Sequence, residues 1–154
     1  MPRDLRYRRS LFPGSDSLVF STSEKGFIPV PIILRKLLRH LSAAEFRVLL
    51  YLQLRASRYG ICYPTIEEIV HELGLTSRKN LMPHIHSLED KRFISTKMNA
   101  GRTFFLIHDP RVPIGYLHAA GLLGESDLAE INELYADLGQ RPITVPPEDA
   151  VPVA

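Results

Sequence analysis

The run Tyr63-Pro64-Thr65-Ile66-Glu67-Glu68-Ile69-Val70-His71-Glu72-Leu73-Gly74-Leu75-Thr76-Ser77-Arg78-Lys79-Asn80 decides how this chain is read. Thr65 and Glu68 have the spacing of a capping box: a hydroxyl accepts a first-turn N–H, and a carboxylate reaches back to the cap. Ile66, Ile69, Val70 and Leu73 recur at helical spacing and leave Glu67, Glu68 and Glu72 to water. That pattern predicts a helix of about two turns. Gly74 closes it and Leu75 plugs the turn into the core. Thr76 or Ser77 caps a second helix, whose buried stripe is Leu81, Ile85 and Leu88. Two short helices with a glycine-containing turn of about three residues between them have helix-turn-helix geometry.

Two β-rich runs follow, Phe93-Ile94-Ser95-Thr96-Lys97 and Arg102-Thr103-Phe104-Phe105-Leu106-Ile107. They are joined around Asn99-Ala100-Gly101, which reads as a hairpin with a short loop. The order helix, turn, helix, hairpin predicts a mainly α fold with a small β-hairpin wing: a winged helix-turn-helix with a C-terminal helical extension. Pro83 constrains the second helix, because an interior proline costs about 3 kcal/mol or more. The helix therefore starts late, near Asn80, or bends at Pro83; the sequence leaves both open.

Upstream, Ser42-Ala43-Ala44-Glu45 is another capping box. It opens a helix of roughly residues 43–58, apolar through Phe46, Val48, Leu49, Leu50, Leu52 and Leu54. Arg47, Tyr51, Arg55 and Arg58 form its polar stripe, and Gly60 is expected as its left-handed cap. Before it, Pro31 opens a short helix that buries Ile33, Leu34, Leu37, Leu38 and Leu41. The winged domain is expected to span 27–110. Residues 1–26, with four arginines in the first nine and Pro13-Gly14 behind them, read as a basic flexible arm. Such an arm either lies along DNA or simply solubilises the terminus. Residues 111–140 read as a helical extension, with one short helix from Pro113 to Ala120 and an amphipathic one capped by Ser126-Asp127. The second presents Leu128, Ile131, Leu134, Tyr135 and Leu138, a face suited to a homodimer or partner contact through 126–139. Residues 141–154, with Pro146, Pro147 and Pro152, read as a disordered tail.

Charge divides along the chain. Residues 1–110 carry 17 Lys/Arg against 10 Asp/Glu, and residues 111–154 carry 2 against 7. A basic body with an acidic tail suits a nucleic-acid partner. A hydrophobic content of 45% can fill one core, and no apolar run reaches the roughly 18 residues of a membrane span. No signal-peptide core follows the charged N-terminus, and Cys62 is the only cysteine, so a reducing, cytoplasmic setting is expected. No Gly-rich phosphate loop, HExxH or GxSxG occurs, which predicts no enzymatic activity, no catalytic residues and no cofactor. His84 and His86 lie two apart, so on a helix they point in different directions; a metal site with Cys62 or His71 is not expected.

Arg78, Lys79 and Asn80 offer the chemistry of groove reading: Arg or Lys to guanine acceptors, Asn to adenine, and first-turn N–H groups to phosphate. Lys97 and Arg102 flank the wing tip, where phosphates would lie. The segments Leu41-Ser42, Phe46-Arg47-Val48-Leu49-Leu50-Tyr51-Leu52, Gly60-Ile61-Cys62-Tyr63-Pro64-Thr65, Leu73-Gly74-Leu75-Thr76-Ser77-Arg78-Lys79 and Leu88-Glu89 carry a resemblance. The chain over about 27–109 resembles the winged helix-turn-helix domains of bacterial, phage and plasmid DNA-binding proteins. Some of those are replication initiators or replisome organisers, and others are MarR-type transcription regulators. By position, the resemblance implies groove- or phosphate-facing roles for Ser77, Arg78, Lys79, Asn80 and His84, with wing contacts from Lys97 and Arg102. The chain departs from the pattern at Pro83 and in its short, mildly basic wing. The expected function is non-enzymatic binding of double-stranded DNA, as a transcription regulator or replication initiation factor. The alternative is a winged-helix protein-interaction module of a larger complex.

Overall fold

A computed structural model describes residues 1–17 and 31–139. The expectations for residues 18–30 and for the Pro-rich tail lie outside the described residues. Helices are numbered α1–α6 and strands β1–β3 in chain order.

Helix α2 (Ala43–Arg55) forms the centre of the core through Val48, Leu49 and Leu52. Its capping box is complete: Glu45 N–H donates to Ser42 Oγ at 3.1 Å, and Ser42 N–H donates to Glu45 Oε1 at 3.3 Å. The helix stops at Arg55, short of the expected 58, and Gly60 does not cap it. With φ of 74°, Gly60 instead turns the chain into β1 (Ile61–Cys62), where its N–H meets Ser57 O and Ser57 N–H meets Ile61 O. Tyr51 departs from the expected polar stripe by being buried, while Leu54 is 61% exposed. The Tyr51 ring contributes its apolar area to the main core.

Helix α3 (Ile66–Glu72) begins where Thr65 Oγ1 accepts Glu68 N–H at 3.1 Å. It ends at Gly74, φ 67°, with Leu75 N–H returning to Val70 O. The chain then makes a 3₁₀ turn, Arg78–Asn80, before α4 (Met82–Asp90). Pro83 falls in the first turn of α4, where a missing N–H removes no helical bond. Of the two readings left open by the sequence, the late start is the one observed, and there is no bend at Pro83.

Strands β2 (Ile94–Asn99) and β3 (Arg102–Ile107) form the wing, in register from Asn99 opposite Arg102 to Ile94 opposite Ile107. Ala100 (φ 51°) and Gly101 (φ 77°) make a two-residue turn whose twist matches that of the strands. Strand β1, too short to be signalled by its sequence, pairs antiparallel with β3, giving the order β1-β3-β2. Central β3 is buried on both faces. Phe105 and Ile107 join the main core with Cys62 and Ile94; Phe104 and Leu106 join a second cluster with Ile61 and Phe12. The fold is a winged helix-turn-helix, mainly helical with a small three-stranded sheet.

The second cluster exists because the N-terminus is not the expected flexible arm. Residues Arg3–Leu11 form α1, followed by a turn at Ser15–Ser17. Tyr7 lies 4.9 Å from the ring of Phe104 and 5.8 Å from that of Tyr63, and Phe12 is buried. Arg8 is buried as well, donating to Tyr59 O at 3.0 Å and pairing with Asp16 at 2.6 Å. Residues 31–41 also depart from expectation, forming two 3₁₀ segments, Ile32–Lys36 and Leu38–His40, instead of one α-helix. At three residues per turn Leu34 and Leu37 align inward, and Leu38 turns outward, 44% exposed.

Helices α5 (Arg111–Ala119) and α6 (Glu125–Asp137) complete the described chain. The cap of α6 is Gly124, whose N–H donates to Asp127, and not Ser126. Its apolar face folds back on its own domain: Ile131 and Tyr135 are buried, Lys36 pairs with Glu130 at 3.0 Å, and Arg39 with Asp127 at 3.2 Å. No described helix is long and apolar enough to cross a membrane.

Candidate nucleic-acid interface

The four residues Ser77–Asn80 are exposed, and they precede α4 instead of lying along it. Ser77 is extended and makes no side-chain cap. The Asn80 amide donates to the Thr76 hydroxyl, so it is held against the turn. Arg78 and Lys79 differ from both: among the described residues their side chains have no hydrogen-bond or ion-pair partner. His84 is half-buried in the first turn of α4.

The wing stands beside them. A groove of about 370 Å³ between α4 and the hairpin is bordered by Arg78, Met82, His86, Met98 and Lys97. Strand alternation places Lys97 and Arg102 on the same sheet face as Phe104, the face turned away from α4. Arg102 lies over the Tyr63 ring, 5.6 Å from its centre. Arg78 and Lys97 therefore border one groove, Lys97 from its rim on the far-face side, while Lys79 is not among the lining residues and Arg102 lies on that far face.

Four sets of polar contacts surround this arrangement. Glu89, near the end of α4, accepts from Thr96 N at 2.9 Å and Thr96 Oγ1 at 2.6 Å, which ties the wing to the helix. Glu45 joins α2 to α4, accepting from Lys91 at 2.8 Å and Ser87 at 3.1 Å. Burial pushes the Glu45 carboxyl up, but the hydrogen bonds from Lys91 and Ser42 outweigh it, and the group stays below the usual glutamate range. Arg47 donates to Leu73 O and so holds the turn between the two helices. Arg55 pairs with Glu68 and Glu72, which partly neutralises the acidic face of α3.

Two buried groups sit behind the interface. His108 is bonded to Ser95 Oγ at 2.7 Å and Arg92 O at 2.8 Å, and burial lowers it to about 4. Burial pushes the Cys62 thiol up to about 12. Among the described residues no three His, Cys, Asp or Glu side chains gather as a metal site would require. Sequence reasoning missed Glu89, Thr96 and His86 as parts of the groove. The only signal was spacing: Glu89 stands next to the end of the second helix, a few residues before the wing begins and within reach of its strand.

A family model described as a helix-turn-helix domain matches residues 39–94, from the turn before α2 to the start of β2. A solved structure of an ArsR family transcriptional regulator superposes with a TM-score of 0.40 at 22% identity, over 71% of this chain and 97% of that one. No curated protein matches the chain.

Proposed function

We propose that this chain binds double-stranded DNA and acts as a cytoplasmic transcription regulator without enzymatic activity. One observation carries the reading: Arg78 and Lys79 lie in the turn that leads into the second helix of a helix-turn-helix, exposed and with side chains that have no partner among the described residues. Cations kept free at that position suit phosphate and guanine contact. The match of residues 39–94 to a helix-turn-helix family supports the same reading. Residues 27–110 would be the DNA-binding unit, with Ser77, Arg78, Lys79, Asn80 and His84 at the groove and Lys97 and Arg102 at the wing. A role in replication initiation would use the same surface. A homodimer through 126–139 would have to be built on what α6 leaves exposed, Leu138 among it.

The test is binding of duplex DNA measured at several salt concentrations. Affinity should fall steeply with salt, and Arg78→Ala with Lys79→Ala should weaken binding by about ten-fold or more. Unchanged binding in that double variant would remove the assignment. Binding to a protein partner with no salt-dependent DNA binding would favour the interaction-module alternative.

A further inference from the structure

The N-terminal helix has a geometry that α4 and the wing do not explain. Helix α1 runs antiparallel to the chain at 59–63: Asp4 meets the Tyr63 hydroxyl at 3.2 Å, while Arg8 reaches back to Tyr59 O at 3.0 Å. Strand β1 pairs Cys62 with Phe105, so the chain from Ile61 to Tyr63 advances toward Arg102 and the wing tip. The first turn of α1 therefore lies at the wing-tip end of the sheet, on the face away from α4. Three rings, Tyr7, Tyr63 and Phe104, lock it there with centroids 4.9–5.8 Å apart.

Cations gather on this aromatic floor. Arg102 lies 5.6 Å over Tyr63, and Arg3 lies 5.6 Å over Tyr7, with its Nε 3.4 Å from the Tyr7 hydroxyl. Arg6, one turn along from Arg3, is exposed, and its side chain has no partner among the described residues. A guanidinium resting on a ring is held in place while its N–H edges stay open to a planar or tetrahedral oxyanion. Asp4 is the one carboxylate in the first turn of α1.

We propose that α1 and the outer face of the wing form a second DNA-contacting ledge, which holds a phosphate strand through Arg3, Arg6 and Arg102. This rests on the DNA-binding reading above. The ledge adds affinity and not sequence preference, since phosphates carry no base identity. Asp4 weakens it by opposing the same phosphates.

The experiment uses the full chain and duplex DNA, with anisotropy measured across salt concentrations. Arg3→Gln, Arg6→Gln and Arg102→Gln together should lower the salt slope by about 2 to 3 and leave the preference among sequences unchanged, since each lost phosphate contact removes about 0.9. Asp4→Asn keeps an acceptor for Tyr63 and should tighten binding a few-fold at low salt, an effect of opposite sign. The Asn variant decides the matter if the triple variant unfolds early in a thermal scan. An unchanged slope in the folded triple variant, or unchanged affinity in Asp4→Asn, overturns the ledge. Loss of binding in the Arg78/Lys79 double variant alongside that result leaves the DNA reading standing. A parent chain that does not bind duplex DNA overturns both.

Discussion

The cations around α4 and those under α6 are of the same residue types, and they are used in opposite ways. Under α6, Lys36 and Arg39 each meet a carboxylate, Glu130 and Asp127, and bind the extension to the domain. At the approach to α4, Arg78 and Lys79 are left without a partner among the described residues. Lys91, just past the end of the same helix, is paired again, with Glu45 and the His40 carbonyl. Residue type does not separate the paired cations from the proposed DNA contacts in this molecule; the partner does. Charges that meet a carboxylate should govern stability, and charges that meet nothing should govern binding.

The largest effect that can break this division is one of pH. His108 is buried and held at about 4, below the 6.5 of an ordinary histidine. Protons therefore bind the unfolded chain first. Stability is complete above about pH 6.5 and falls as the pH drops toward 4, by about 3 kcal/mol. Urea unfolding between pH 7 and 4 should show that fall, and His108→Gln should flatten it. The Glu45 carboxyl is depressed, so its contribution is present above the ordinary glutamate value and is lost only as the pH falls below it. A fall confined to that lower range would exclude His108 as its source.

Next in size is Lys91→Ala, which leaves Glu45 buried without its cation. The lysine is partly exposed, so the loss should be about 2 kcal/mol, below the range for fully buried pairs. DNA affinity at permissive temperature should be unaffected. The smallest effect sharpens the contrast. Lys36→Ala with Arg39→Ala should cost about 1 kcal/mol or less, as expected of exposed pairs, with no change in binding. Arg78→Ala with Lys79→Ala should leave the unfolding midpoint unchanged within error while binding falls. A stability loss at Arg78 and Lys79 equal to that at Lys36 and Arg39 would dissolve the comparison.

Much of the fold could be read locally because its signals are local. The Ser42–Glu45 box, the Gly74 turn and the Asn99–Arg102 hairpin each depend on residues within a few positions of one another. Helix α1 could not be read that way. Its arginines outnumber its apolar residues, and Tyr7 and Phe12 are ordered by Phe104 and Leu106, distant in the chain. A trace of it did exist: Phe104-Phe105-Leu106-Ile107 is an unbroken apolar run, which signals burial on both faces and so a covering element. The 31–41 region failed for another reason. Apolar residues three and four apart suit both helix types, and only the hydrogen bonds distinguish them. Of the site, residue types and exposure were legible at Ser77–Lys79. The strand alternation that sends Arg102 to the far face was legible only once the register was known.

The bond from Glu89 to Thr96 has a consequence beyond the wing's position. Strand β2 is an outer strand of the sheet, and Thr96 N–H points away from β3 toward its open side. An unclaimed amide there is a template on which a second chain could extend the sheet. By filling that amide with a carboxylate from its own helix, the protein makes its edge unreceptive. One glutamate thus ties the hairpin to α4 and closes one of the edge amides on which a second chain could build.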